Sequence, residues 1–106
     1  MTENLKEYKE MLEEDINLLG YQDLRYSLFA GSDNRQEYQL RIEKESDKFT
    51  VYMTAERASI VGKYEYDSPF DAFDMFLNIM QSIVLSNRRA VKNNEEPEYT
   101  SSLWSK

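Results

Sequence analysis

The sequence predicts an α+β fold in which an N-terminal and a C-terminal helix pack on one face of a four-stranded antiparallel sheet, in the order αββββα. Three observations predict it. Apolar residues recur at steps of three and four near both ends of the chain, the middle switches to strict alternation, and the links between alternating runs are short and rich in turn formers. Short links favour a meander of antiparallel strands, because parallel neighbours require long crossovers.

At 106 residues the chain is long enough for one domain with a real core and too short for two. The first helix is expected to start at a Thr2 cap, to line one face with Leu5, Tyr8, Leu12, Ile16 and Leu19, and to end at Gly20. Its acidic face reads as solvated. Leu24, Tyr26 and Leu28 then alternate with Arg25, Ser27 and Phe29, and residues 30–35 (AGSDNR) read as a hairpin loop.

In the second strand Tyr38, Leu40 and Ile42 alternate with Glu37, Gln39, Arg41 and Glu43; ESDK at residues 45–48 makes the next turn. The third sets Phe49, Val51 and Met53 against Thr50, Tyr52 and Thr54. Glu56, Arg57 and Ala58 connect it to a fourth, where Ile60, Tyr64 and Tyr66 share a face with Gly62, a glycine that signals a bulge or a close backbone approach. Tyr26, Leu40, Ile42, Val51, Met53 and Ile60 would form the face that the helices cover.

Residues 68–85 carry the clearest helix signal. Ser68 is a favoured cap, Pro69 suits the first helical position, and Asp71 and Asp74 sit at the positive end of the dipole. Phe70, Phe73, Phe76, Leu77, Met80, Ile83 and Val84 make a broad apolar stripe, while Arg88, Arg89 and Lys92 allow the helix to run on to about residue 93. A domain over residues 1–93 is expected, followed by a tail over 94–106 docked through Trp104, the sole tryptophan.

The composition excludes much chemistry. With no cysteine and no histidine the chain lacks thiolate nucleophiles, imidazole bases, disulfides and the usual zinc ligands. Three glycines do not build a phosphate loop. Glu13, Glu14 and Asp15 are adjacent on a helix and point in different directions, Asp71 and Asp74 are explained by capping, and the Asp33–Asn34 loop lacks the spacing of a calcium site. No catalytic residue, cofactor or metal is expected. The net charge of −7 argues against nucleic acid and favours either simple solubility or a basic protein partner. The N-terminus has no signal-peptide pattern and no apolar run approaches the length of a membrane span, so a cytoplasmic location is expected, with a monomer favoured and the oligomeric state open.

The second sheet face should then display Arg25, Glu37, Gln39, Arg41, Glu43, Thr50, Tyr52, Lys63 and Glu65. It reads either as a solvated face with cross-strand charge pairs or as a protein interface rich in tyrosine and arginine. The candidate partner-binding residues are Glu37, Arg41, Glu43, Tyr52 and Glu65, with Glu56 and Arg57 on the turn beside them. Arg57 has a competing local role, pairing with Glu65 or Asp67 to fix that turn.

Residues 49–77, with TAERASI and then YEYDSPFDAFDMFL, resemble small immunity proteins encoded beside toxins in bacterial polymorphic toxin systems. The resemblance rests on the Glu56–Arg57 pair after a strand, the aromatic strand ending at Tyr66, and Phe70, Ala72, Phe76 and Leu77 in the last helix. It implies a non-enzymatic antidote that binds a cognate toxin domain and blocks its active site. The acidic charge independently suits a toxin with a basic surface. A small acidic secretion chaperone or adaptor is the alternative.

Overall fold

The computed structural model describes residues 5–31 and 33–104. Helix α1 (Leu5–Leu19) is followed by strands β1 (Tyr26–Leu28), β2 (Leu40–Glu45) and β3 (Lys48–Thr54), a 3-10 turn (Glu56–Ala58), β4 (Ile60–Tyr66) and helix α2 (Pro69–Lys92). The Thr2 cap expected for α1 lies outside the described residues. In α2 the Ser68 hydroxyl accepts from the Phe70 backbone N–H at 3.2 Å, and Asn93 closes the other end by donating back to the last carbonyls.

The sheet is mixed, in the order β1-β2-β3-β4. β2, β3 and β4 are antiparallel neighbours, but β1 runs parallel to β2, pairing Tyr26 with Leu40 and Leu28 with Ile42. This corrects the expected all-antiparallel meander. The link from β1 to β2, residues 29–39, is a crossover instead of a hairpin. Phe29 and Tyr38 lie at its two ends with φ of 55° each, in the left-handed region, and bend the chain out of and back into the sheet.

A second correction concerns β4. Val51 pairs with Tyr64 and Met53 with Val61, so β4 carries one residue more than β3 across this step. The bulge falls at Gly62, whose φ of 61° suits a residue without a side chain. Beyond it Val61 takes the helix-covered face and Ile60 turns to the opposite one beside Thr54, where the alternation alone had placed Ile60 in the core.

The core lies between α2 and the sheet. Ala72, Phe73, Phe76, Met80 and Val84 of α2 are buried with Leu40, Ile42, Phe49 and Val51. Truncating Phe76, which is fully buried, to alanine would cost about 3–5 kcal/mol. Helix α1 inserts Leu12 and Ile16 and supplies Tyr8, whose ring meets Phe49, Phe70 and Phe73 edge-on at centroid distances of 5.9, 6.3 and 5.8 Å.

After α2 the chain folds back. The buried Asn87 side chain donates to the Ile83 carbonyl at 2.9 Å and accepts from the Glu98 N–H at 2.7 Å, tying the returning segment to the helix. Trp104 is 4% exposed and donates its indole N–H to the Tyr99 carbonyl. The Tyr99 ring lies under the Arg25 guanidinium, 4.3 Å away.

Candidate protein-binding surface

The second sheet face does not face water along β2 and β3. Arg41, Glu43 and Tyr52 are 0%, 3% and 1% exposed, and Thr50 and Thr54 are buried with them. The crossover lies over this face and is bonded to it. Arg41 donates to the Gly31 and Asn34 carbonyls and to Gln39 Oε1, while the Thr54 hydroxyl donates to the Gln36 carbonyl and accepts from the Gln39 N–H. A guanidinium with its fork of donors is suited to gathering several carbonyls from one loop.

The same guanidinium is neutralised from within the sheet. Its Nε donates to Glu43 at 3.2 Å and to the Tyr52 hydroxyl at 3.0 Å, and its Nη2 lies 3.1 Å from Glu43 Oε2. The Tyr52 hydroxyl donates to Glu43 at 2.6 Å and also accepts from Arg35. Burial, followed by the hydrogen bond to Glu43, raises the Tyr52 pKa above its ordinary value. Among the described residues no buried side-chain nitrogen or oxygen lacks a partner. Three residues expected at a partner-binding surface thus form the pin that holds the crossover on the sheet, and no surface remains on them for a partner to touch.

The other predicted residues are exposed. The structure brings Glu37, Glu56 and Arg57 together: the Glu37 carboxylate accepts from the Arg57 backbone N–H at 2.7 Å. Arg57 (φ 60°, ψ 25°) and Ala58 (φ 59°) both take left-handed backbone, which costs a non-glycine residue about 1 kcal/mol each. The turn is held in that form by Ala58 N–H to the Ala55 carbonyl, Ala55 N–H to the Ser59 carbonyl, and the Ser59 hydroxyl to the Glu56 carbonyl. Asp67, one partner expected for Arg57, is taken by Lys48.

Glu65 stands apart on β4. It pairs with Thr50, whereas Ile60 beside the turn pairs with Thr54, a separation of about 13 Å along the sheet. Between them β4 is exposed over almost its whole length, with Val61 and Tyr64 at 42% and 44%. Sequence reasoning missed this exposure by placing Ile60 on the helix-covered face, with Tyr64 on the same side. The signal was Gly62, which marks an edge bulge. Among the described residues no cluster of three or more acids could hold a metal ion, and no helix is long and apolar enough to cross a membrane.

These features define a small α+β protein with an exposed strand, β4, at one edge of its sheet and an exposed turn leading into it. The family model of Immunity protein 59 (Imm59) matches residues 5–105, and the chain belongs to that family of immunity proteins. Membership implies a toxin partner. No curated protein and no solved structure matches the chain.

Proposed function

We propose that this chain is a non-catalytic immunity protein of the cytoplasm, which binds a cognate toxin domain and blocks its active site by occlusion. The observation that carries the reading is the 2.7 Å bond from the Arg57 N–H to the Glu37 carboxylate. It helps to hold an exposed turn in left-handed backbone and keeps Glu37 beside Glu56 and Arg57. Preorganised charged groups on a rigid sheet lose little freedom on binding, and strained backbone is retained mainly where a site depends on it.

Glu37, Glu56, Arg57 and Glu65 are the contact residues in this reading, and Arg41, Glu43 and Tyr52 act behind them by holding the crossover from which Glu37 projects. The charge of −7 favours a toxin with a basic surface and speeds encounter with it.

The test is to purify the chain with the toxin domain encoded beside it and assay both. A stoichiometric complex with abolished toxin activity is expected. Two separate peaks on gel filtration, with toxin activity intact, would overturn the proposal.

A further inference from the structure

We infer that the outer edge of β4 is a docking site for an extended segment of the toxin, which adds to the sheet as a fifth strand; this rests on the immunity reading above. The edge is free: β4 pairs only with β3, and among the described residues no backbone hydrogen bond reaches its outer side. Exposed strand edges are normally kept short, covered or heavily charged, because their unpaired N–H and C=O groups recruit other strands. Here the edge runs from Ile60 to Tyr66 and, even with the Gly62 bulge and the charges of Lys63 and Glu65, still exposes Ile60, Val61 and Tyr64.

The helix-side flank of this edge is also unfinished. A groove of about 290 Å³ lies between α2 and β3, lined by Met53, Ile79 and Ile83 among others. Met53 is the register partner of Val61, so the groove adjoins the strand's apolar residues. Ile79 and Ile83 continue the buried stripe of α2 but are only partly covered. A strand laid beside β4 would direct alternate side chains over Val61 and Tyr64 toward this groove.

Charge selects the toxin over a second copy of this chain. Charge along β4 itself is mixed, with Arg57 beside Glu56, Lys63 beside Glu65, and Asp67 paired with Lys48. The net charge decides: self-pairing would bring together two chains that each carry −7, whereas a basic toxin is attracted to one. The fitting segment is extended and apolar at alternate positions, on a toxin whose surface is basic.

Hydrogen exchange of the full chain, free and mixed with the toxin domain encoded beside it, tests the inference. In the free chain the outward amides of β4 should exchange rapidly, and in the complex they should slow by about tenfold or more. The double variant Val61→Lys, Tyr64→Lys alters only exposed side chains and should weaken the complex by about 30-fold or more. A wild-type complex with unchanged β4 exchange, or one that the double variant forms equally well, would overturn the strand addition and leave the immunity reading standing. Absence of any complex would overturn both. A free chain that is already dimeric, with its β4 amides protected, would assign the edge to a second copy and contradict the inference.

Discussion

The Tyr52 hydroxyl donates to the Glu43 carboxylate across 2.6 Å at the centre of a polar cluster sealed from solvent by the crossover. Both side chains share Arg41 as a partner, so the three stand or fall together. Replacing Arg41 by methionine would leave Glu43 buried without its counter-charge and release the crossover, at a cost of about 3–5 kcal/mol in urea denaturation. Replacing the whole cluster, Arg41→Met with Glu43→Leu and Tyr52→Phe, should cost less than Arg41→Met alone, because no buried charge is stranded and the exposed residues Gly31 and Asn34 can turn their carbonyls to water. A triple variant less stable than the single one would contradict this.

Alkaline pH should unfold the protein more readily than neutral pH. Burial raises the pKa values of Tyr26, Tyr52 and Tyr99, helped at Tyr26 by the charge of Glu13 and at Tyr52 by the bond to Glu43. A phenol whose folded pKa exceeds its unfolded value of about 10 holds its proton longer in the native state. Its stabilising contribution is therefore complete below pH ~10 and is lost as pH rises through the folded value. Denaturation midpoints measured from pH 8 upward should stay level and then fall. Absorbance titration should find part of the tyrosine population ionising late, and a midpoint that rises above pH ~10 would contradict the assignment.

Much of this fold was legible because burial imposes a period. The cap at Ser68, the α2 stripe from Phe73 to Val84 and the alternation from Leu40 to Ile42 and from Phe49 to Met53 persist in the structure, while Phe70 is 53% exposed and Tyr38 lies outside β2. The direction of β1 was not legible. AGSDNR favours a turn whether the chain then reverses or crosses over, and the left-handed Phe29 and Tyr38 carry no glycine to announce the bends. Alternation likewise separates two faces without saying whether the polar one is wet. Arg41, Glu43 and Tyr52 look like surface residues until the loop carbonyls that bind Arg41 are known, and those bonds are tertiary. Glu56 and Arg57 were legible as an exposed turn, but their link to Glu37 was not, since it joins residues 20 positions apart.

Arg57→Gly separates side-chain function from backbone strain. Glycine adopts φ near 60° without the penalty borne by arginine, so the variant should be as stable as the parent or more so by up to about 1 kcal/mol. Its affinity for the toxin should fall, because the guanidinium is gone. Calorimetric binding beside a thermal melt measures both, and undiminished affinity would remove the Arg57 side chain from the contact.

Asn87→Ala should loosen the returning segment. It deletes the donor to the Ile83 carbonyl and the acceptor of the Glu98 N–H, a loss of about 1–3 kcal/mol for groups at a buried position. Trp104, the sole tryptophan, reports the change directly: its emission should shift to longer wavelength before the main unfolding transition. A spectrum unchanged from the parent would show that Trp104 docks independently of Asn87.

The most direct measurement is growth of cells producing the toxin domain encoded beside this chain, with and without the chain. Wild-type protein is expected to restore growth, and the double variant Glu56→Lys, Arg57→Gly, expressed at equal level, is expected to fail. Equal rescue by both would contradict the exposed turn as the point of contact, and rescue by neither would contradict immunity itself.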